Sequence, residues 1–513
     1  MENNLSKTKM NRQFSGGTGT WIDPFQITGK SDLEELADDV EAGNFYDGIC
    51  FKVMNDINDP LDVVDRMIGN DTYYFQGYFY GGNNKITVDI NEDTTNVGLF
   101  SQISGGIWDL IIDGQVTGGP NSRNVGGFVG RVLSINTDIN ANTNLAKVTG
   151  TAQNSSVGGF AGAVNSSNWL GFTFVVNNGE ITGGFAIGGI FGSANFSNGC
   201  VIRDCKNSGT IKSNDDVDIS HYMAGIVAHL VVGGGDSHIN TNCNIGKVVS
   251  GKSMYSGGIT AYTANSGIGL ELHSNSNSGF VDGAINAIGG IAGYIDNVSV
   301  IGCINTNWIA PTATGQNSGA IVGFNNGTVG SCYYDKQMCV LNGIGAGAGG
   351  QATPLFTAEM IGYNLQMQGL PGNWVFENNL YPRPLPWDNH PINLLSAAPI
   401  YLRDTPLPPP PPRPPFETLN NVQTNFTVSN WDPWPLINPA IPHRYLWGWY
   451  DPNGNFNSNS MMGYIDIPIN AFPPPPYLNT ANIVVPNGGW DALAVRLTND
   501  SIGYEKVVPM NVR

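Results

Sequence analysis

The sequence predicts an all-β chain built around a right-handed parallel β-helix, a solenoid with a capping helix at its start and a small C-terminal β domain behind it. Three observations carry this. A glycine pentad recurs every 30 to 36 residues, an asparagine site recurs in phase with it, and the runs between are short and rich in Val, Ile, Phe and Thr, broken by Gly, Asn and Ser clusters.

The pentad reads Gly126-Gly127-Phe128-Val129-Gly130, then Gly158-Gly159-Phe160-Ala161-Gly162 and Gly188-Gly189-Ile190-Phe191-Gly192. It loosens to Ala224-Gly225-Ile226-Val227-Ala228 and Gly257-Gly258-Ile259-Thr260-Ala261, recovers at Gly289-Gly290-Ile291-Ala292-Gly293, and ends at Ser318-Gly319-Ala320-Ile321-Val322-Gly323. Its second positions, 127, 159, 189, 225, 258, 290 and 320, lie 32, 30, 36, 33, 32 and 30 apart. About 18 residues later comes an Asn followed by a small residue and an apolar one, at Asn144, Asn177, Asn207, Asn244, Asn277 and Asn305. Each repeat is then one coil, bonded to the coils above and below. Gly at the corners is expected to supply positive φ, which Asn also tolerates, and each Asn amide is expected to bond the Asn one coil away. At a strand spacing of about 4.8 Å, roughly eight coils give a rod of about 40 Å.

Taken in order, residues 1–20 read as a flexible N-terminal arm, and 21–95 as an N-terminal cap with the strands that lead into the coil. Within the cap, Ser31-Asp32-Leu33-Glu34 reads as a capping box opening a helix, whose Leu33, Leu36, Ala37 and Val40 fall on one face suited to plugging the first coil. Residues 96–340 are the repeats. Residues 341–400 lose the period and read as an irregular cap on the far end, 401–415 as a polyproline linker, and 416–513 as a β-sandwich-like domain.

The pentads resemble the GLUG repeat of bacterial surface and adhesin-like proteins. The flanks carry the resemblance too: Ile22-Asp23-Pro24-Phe25-Gln26-Ile27 and Phe75-Gln76-Gly77-Tyr78-Phe79-Tyr80-Gly81 before the first repeat, Asn96-Val97-Gly98-Leu99-Phe100 at it, and Ser331-Cys332-Tyr333-Tyr334-Asp335 and Trp374 after the last. The resemblance spans about residues 20 to 386. It implies the β-helix fold and a surface setting, and no particular activity.

Seven cysteines, Cys50, Cys200, Cys205, Cys243, Cys303, Cys332 and Cys339, form no CxxC pair, so no metal site and no cofactor is expected. Cys205, Cys303 and Cys332 share one position of the repeat and suit small inward sites. Cys303 and Cys332 fall on adjacent coils, close enough for an oxidised pair.

With 23 basic against 41 acidic residues and a net charge of −18, the chain would repel a phosphate backbone, which excludes nucleic acid as a partner. Only 12% of residues are charged, leaving a neutral surface of Asn, Ser, Thr and Gly. No apolar run approaches the roughly 18 residues of a membrane span, so membrane insertion is not expected. The polar start Met1-Glu2-Asn3-Asn4-Leu5 reads as no secretory signal, which makes a virion surface or capsid the expected location, with an extracellular or cell-surface setting as the alternative. Capsid or other surface proteins and host glycans are the expected partners; a homo-oligomer stays open, since no heptad repeat marks one.

Trp431, Trp434, Trp447, Trp449 and Tyr450 concentrate aromatic surface in the last domain. The Trp447-x-Trp449 alternation puts two rings on one strand face, which suits a sugar face and equally suits the core of a domain that size. Catalysis on the coil side would need clustered carboxylates. Asp138, Glu180, Asp204, Glu271, Asp282 and Asp296 are scattered; Asp215, Asp216, Asp218, His221, His229, Asp236 and His238 crowd into the longest repeat, without ligand spacing. The expected function is therefore a non-catalytic structural or adhesive surface protein, capsid-associated or fibre-like. The rivals are a carbohydrate-active β-helix enzyme, a polysaccharide lyase or glycosidase, and a bacterial surface adhesin.

Overall fold

The computed structural model describes residues 14–385 apart from 62, 134–137, 215–221, 250–252, 268, 312–316, 340 and 377–380, and beyond 385 the backbone of ten strands between 393 and 512. Residues 96–340 wind as a parallel β-solenoid, and with the flanking segments it reaches about ten coils, more than the roughly eight expected. The rod is lengthened at its start by the lead-in strands Phe25–Ile27, Cys50–Val53 and Tyr78–Tyr80, which already pair in parallel with one another.

The coil from Ser156 shows the plan. Strand Ser156–Gly158 lies in a first sheet, Ala161–Ser166 and Leu170–Thr173 in a second, and Val176–Asn177 and Ile181–Gly183 in a third. In the next coil every one of these strands recurs 30 residues later, with registers Val157↔Ile187, Val164↔Ala194, Phe172↔Ile202, Asn177↔Asn207 and Ile181↔Ile211. Because strand side chains alternate, a fixed offset stacks like on like, and each inward position becomes a column. One column is Phe128, Phe160, Ile190, Ile226, Ile259, Ile291 and Ile321, all fully buried. Another is Val116, Val148, Ile181, Ile211, Val248, Val281 and Ile309. Each such side chain contributes roughly 1.5–3 kcal/mol by leaving water.

The asparagines form a ladder inside the rod. The Nδ2 of Asn144 donates to Oδ1 of Asn177, Asn177 to Asn207, Asn207 to Asn244 and Asn244 to Asn277 at 2.8 Å each, and Asn277 to Asn305 at 2.9 Å. Each Nδ2 also reaches the carbonyl two residues ahead, as Asn207 does with Gly209 at 3.1 Å. The amides are buried and, apart from the Oδ1 of the first rung Asn144, which has no partner among the described residues, satisfied within the rod, which is what makes a polar column tolerable in a core.

The expected left-handed glycines are not where the pentads lie. None of the pentad glycines has positive φ; the left-handed corner is the turn from the second sheet to the third, at Asn83, Asp109, Ala141, Phe174, Asp204, Thr241, Ser274, Gly302 and Ser331, with φ between 50° and 61°. Only one of those nine is glycine. Stacking holds the others there: the Ala141 N–H donates to Thr173 O at 3.0 Å and that of Thr241 to His273 O at 3.2 Å, each one coil on. The pentads need glycine for a different reason, lack of room, set out below for Gly225.

At the start, the helix runs Lys30–Glu41, two residues earlier than a cap at Ser31 would place it. Gly29 is the N-cap and makes no side-chain cap bond, so the expected capping box does not form. Asp32 reaches back instead, accepting from the Thr28 N–H at 2.7 Å and from Ser15 Oγ at 2.9 Å. Leu33, Leu36, Ala37 and Val40 are buried in one core with Ile27 and Phe51, as expected of a plug. Phe14 joins them, its ring 4.9 Å from Phe25 and 5.3 Å from Phe51, so packed structure begins inside the stretch read as an arm; residues 1–13 lie outside the described residues.

After the last coil, strands Ile344–Gly347 and Ala352–Leu355 still pair with the rod. The following chain folds back along its side: Leu355, Met360, Leu365, Trp374 and Tyr381 form a second core with Ile304 and Tyr333. Buried Asp335 organises it, accepting from Thr357 Oγ1 at 2.6 Å and from the Tyr381 hydroxyl. The proline linker 401–415 falls almost wholly outside the described residues, and of 416–513 only strand backbone is described. All seven cysteines are buried and unpaired, with Cys205, Cys303 and Cys332 in one inward column as expected.

Candidate functional site

The outward positions beside the pentads carry the most distinctive surface. The residue after each pentad faces out from the second sheet, and its register runs Ala163↔Ser193↔His229↔Tyr262↔Tyr294↔Phe324. The second residue before each pentad faces out from the first sheet, in the register Ala186↔Tyr222↔Tyr255↔Ala287. The longer column turns aromatic from His229 to Phe324, and the shorter one is aromatic in two coils, at Tyr222 and Tyr255.

In the longer column the rings stack. His229 and Tyr262 lie 5.3 Å apart at 14°, Tyr262 and Tyr294 5.0 Å at 2°, and Tyr294 and Phe324 5.3 Å at 7°. In the shorter, Tyr222 and Tyr255 lie 5.8 Å apart at 9°. The two rows meet edge to face, Tyr255 standing 5.7 Å from Tyr262 at 64° and 5.6 Å from Tyr294 at 66°. The result is a strip one ring pair wide that follows the rod axis, every ring half-buried and half in solvent.

Its electrostatics are those of a neutral, hydrogen-bonding surface. Burial raises the Tyr262 and Tyr294 pKa values, and the nearby Asp296 carboxylate raises them further, so both phenols stay protonated donors. Among the described residues no protein group hydrogen-bonds the hydroxyls of Tyr255, Tyr262 or Tyr294. Burial lowers the His229 pKa, keeping the imidazole neutral in its stack, with Nδ1 3.4 Å from Ser193 Oγ. One outward position further along the strands, beside Tyr294 and Phe324, Asp296 accepts from Asn326 Nδ2 at 2.5 Å, while the same position beside His229 and Tyr262 is held by Val231 and Ala264.

The sequence reading did not select this strip. His229 entered it only as part of an acidic, histidine-containing insertion; the structure removes it from that group, seating it on strand Val227–Val232 against tyrosines. The signal was available, since Tyr262, Tyr294 and Phe324 each follow a pentad directly. Of the rest of the insertion, Asp215, Asp216, Asp218 and His221 lie outside the described residues. Asp236 and His238 are together, His238 Nε2 3.2 Å from Asp236 Oδ2, with Glu271 Oε2 3.8 Å from His238 Nδ1. No group of three or more His, Cys, Asp or Glu among the described residues is arranged to hold a metal ion. Glu180 sits between Lys147 at 3.2 Å and Lys212 at 3.0 Å, an outward ion-pair ladder; burial opposes ionisation there, and the two ammonium groups outweigh it and lower the Glu180 pKa.

The aromatic residues expected to bind sugar lie elsewhere. Trp431 and Trp434 are outside the described residues; Trp447, Trp449 and Tyr450 fall on strand His443–Tyr450, where the backbone of Trp447 pairs with Val495 and that of Trp449 with Leu493. A further aromatic group stands on the lead-in coils, Tyr80 stacked on Trp108 at 4.9 Å with Trp21 edge-on at 5.1 Å. Trp21 is 71% exposed.

No protein-family model matches the chain, and no curated protein matches it. Among solved structures, it is similar to a protein from Bacteroides ovatus provisionally named an immunoglobulin A1 protease, with 16% identity, a TM-score of 0.35, and coverage of 72% of this chain and 95% of that one. At those values the likeness says nothing of activity.

Proposed function

We propose that the protein is a non-catalytic adhesive surface protein, a GLUG-type solenoid whose coils hold a binding strip in fixed register. The β-solenoid fold is consistent with a surface or adhesive role. The observation that carries the reading is the aromatic strip itself: half-exposed rings on successive coils, with the hydroxyls of Tyr255, Tyr262 and Tyr294 bonded to no protein group among the described residues, on a rod whose charged groups are few. Solvent-facing aromatic rows with open hydroxyls are a recognition surface more than a packing device. We place the rod on the exterior of a virion or its capsid, or on a cell exterior, with neighbouring capsid or surface proteins and glycans as partners. No described helix is long and apolar enough to cross a membrane.

Immunogold labelling or cryo-electron tomography of the source particles and cells, with an antibody raised to residues 416–513, tests the setting. Exterior labelling is expected; labelling confined to the cell interior overturns the display reading. A second reading, a carbohydrate-active enzyme, draws on the Asp236, His238 and Glu271 grouping. Release of shorter sugars from any glycan, lost in Glu271→Gln, would establish it in place of the first.

A further inference from the structure

We infer that the strip formed by Tyr222, Tyr255, His229, Tyr262, Tyr294 and Phe324 is a binding site for a linear neutral polysaccharide lying parallel to the rod axis. The inference rests on the adhesive reading above and names its ligand class.

Three features of the strip select that chemistry. First, it is amphipathic on the scale of a single ring: aromatic edges and partial faces alternate with phenol hydroxyls, and the hydroxyls of Tyr255, Tyr262 and Tyr294 have no protein partner among the described residues. A pyranose can pack its C–H groups against the parts of the rings that the stack leaves uncovered and match its hydroxyls to the phenols. Second, the strip repeats once per coil, with successive rings 5.0 to 5.3 Å apart along four coils in the longer row. That step is comparable to the length of one sugar residue, so a polymer can present the same contact to each coil in turn, and its affinity grows with length as contacts add on one rigid template. A globular protein partner without stacked coils has no such period, whereas a neutral sugar polymer has it along its whole length. Third, the sign of charge excludes polyanions. The position beside Tyr294 and Phe324 carries Asp296 paired with Asn326, the longer row ends in neutral His229 and apolar Phe324, and the chain as a whole has a net charge of −18. Sulfated or sialylated chains would be repelled where a neutral one is not.

The rigidity of the site follows from its foundations. Each ring stands on a strand whose inward neighbours belong to the buried columns, as Tyr262 stands between Ala261 and Thr263, both fully buried. Little ordering is therefore left to be paid on binding.

The test uses the full chain and defined oligosaccharides. Cello-, xylo-, manno-, laminari- and chito-oligosaccharides of increasing length, with heparin and polysialic acid as polyanions, are titrated by calorimetry against the native chain, the Tyr262→Ala/Tyr294→Ala double variant, and Trp447→Ala/Trp449→Ala. Expected is binding of at least one neutral series, strengthening with each added sugar until the strip is spanned and weakened by about tenfold or more in the tyrosine variant but not in the tryptophan variant. A Tyr262→Phe/Tyr294→Phe variant, which keeps the stack, guards against misfolding and should show a smaller loss from the hydroxyls alone. Three results overturn the inference: no neutral series binds, binding survives the tyrosine-to-alanine variant, or the polyanions bind more tightly than the neutral chains. None of these would disturb exterior labelling, so failure of the ligand assignment is distinguishable from failure of the display reading.

Discussion

Gly225 lies against the side chain of Asn244 inside one coil: a Cβ built on Gly225 would come within 2.4 Å of Asn244 Oδ1 and 2.3 Å of the Gly258 carbonyl in the next coil. The same contact recurs between Gly127 and Asn144, Gly159 and Asn177, Gly189 and Asn207, and Gly258 and Asn277. The two motifs keep one phase because they touch. Alanine at Gly225 should therefore cost about 1–3 kcal/mol or more, by pushing on the ladder and the neighbouring coil together. Alanine at Gly330, which has nothing within 4 Å and no positive φ, should be neutral or stabilise by about 0.4–1 kcal/mol. Denaturant midpoints of the two variants decide it; equal values would mean that the close contact does not constrain the coil.

Asn207 accepts from Asn177 and donates to Asn244, so Asn207→Ala strands a buried donor on one side and an acceptor on the other. A loss of about 2–4 kcal/mol is expected. Asn305 is the last rung and makes only one contact within the ladder, and its alanine variant should cost less. Chemical denaturation that ranks them in the opposite order would show that the ladder does not act as a chain of equivalent bonds.

Ala141 sits in the left-handed corner at φ 55°. An L-residue pays roughly 1–2 kcal/mol there, and glycine gives back about 0.5–1 kcal/mol through the unfolded chain. Ala141→Gly should thus raise the unfolding free energy, by up to about 1 kcal/mol, in thermal or urea unfolding. A destabilised variant would mean that the corner is held for its side chain.

Burial lowers the His229 pKa from its ordinary 6.5. The unfolded chain then binds more protons than the folded one between the two values, so this residue's contribution to stability is present above 6.5 and falls as pH drops toward the folded value. His229→Phe, which preserves a ring in the stack, should flatten that part of the stability profile relative to the native chain. Parallel profiles would remove His229 from the account.

Burial pushes the thiols of Cys200, Cys205 and Cys339 up to about 12 and raises Cys303, beside Cys332, well above its ordinary value. A disulfide reagent at about pH 8 should leave the native chain unmodified and titrate seven thiols in denaturant. Fast native labelling would contradict the inward column.

Much of the solenoid was legible because its rule is repetition. The offset of the pentads gave the coils, the phase of the asparagines gave the ladder, and Leu33, Leu36, Ala37 and Val40 gave the plug. What failed depended on three-dimensional crowding. Nothing local distinguishes a glycine chosen for φ from one chosen for space, so the pentads were assigned the wrong reason and the left-handed corner, filled by Asp109, Phe174 or Thr241, was invisible. The tyrosine strip was missed for a related cause. Each tyrosine is unremarkable in its own coil, and only the registers Tyr262↔Tyr294↔Phe324 bring them together.

The asparagine ladder is directional and uniform, each rung offering an acceptor to the coil before and a donor to the coil after. A coil duplicated in the gene would find both neighbours already matched, and one deleted would leave no mismatch behind. Rod length is thus open to change by recombination in whole-coil steps, and the span of anything the coils display would lengthen or shorten with it.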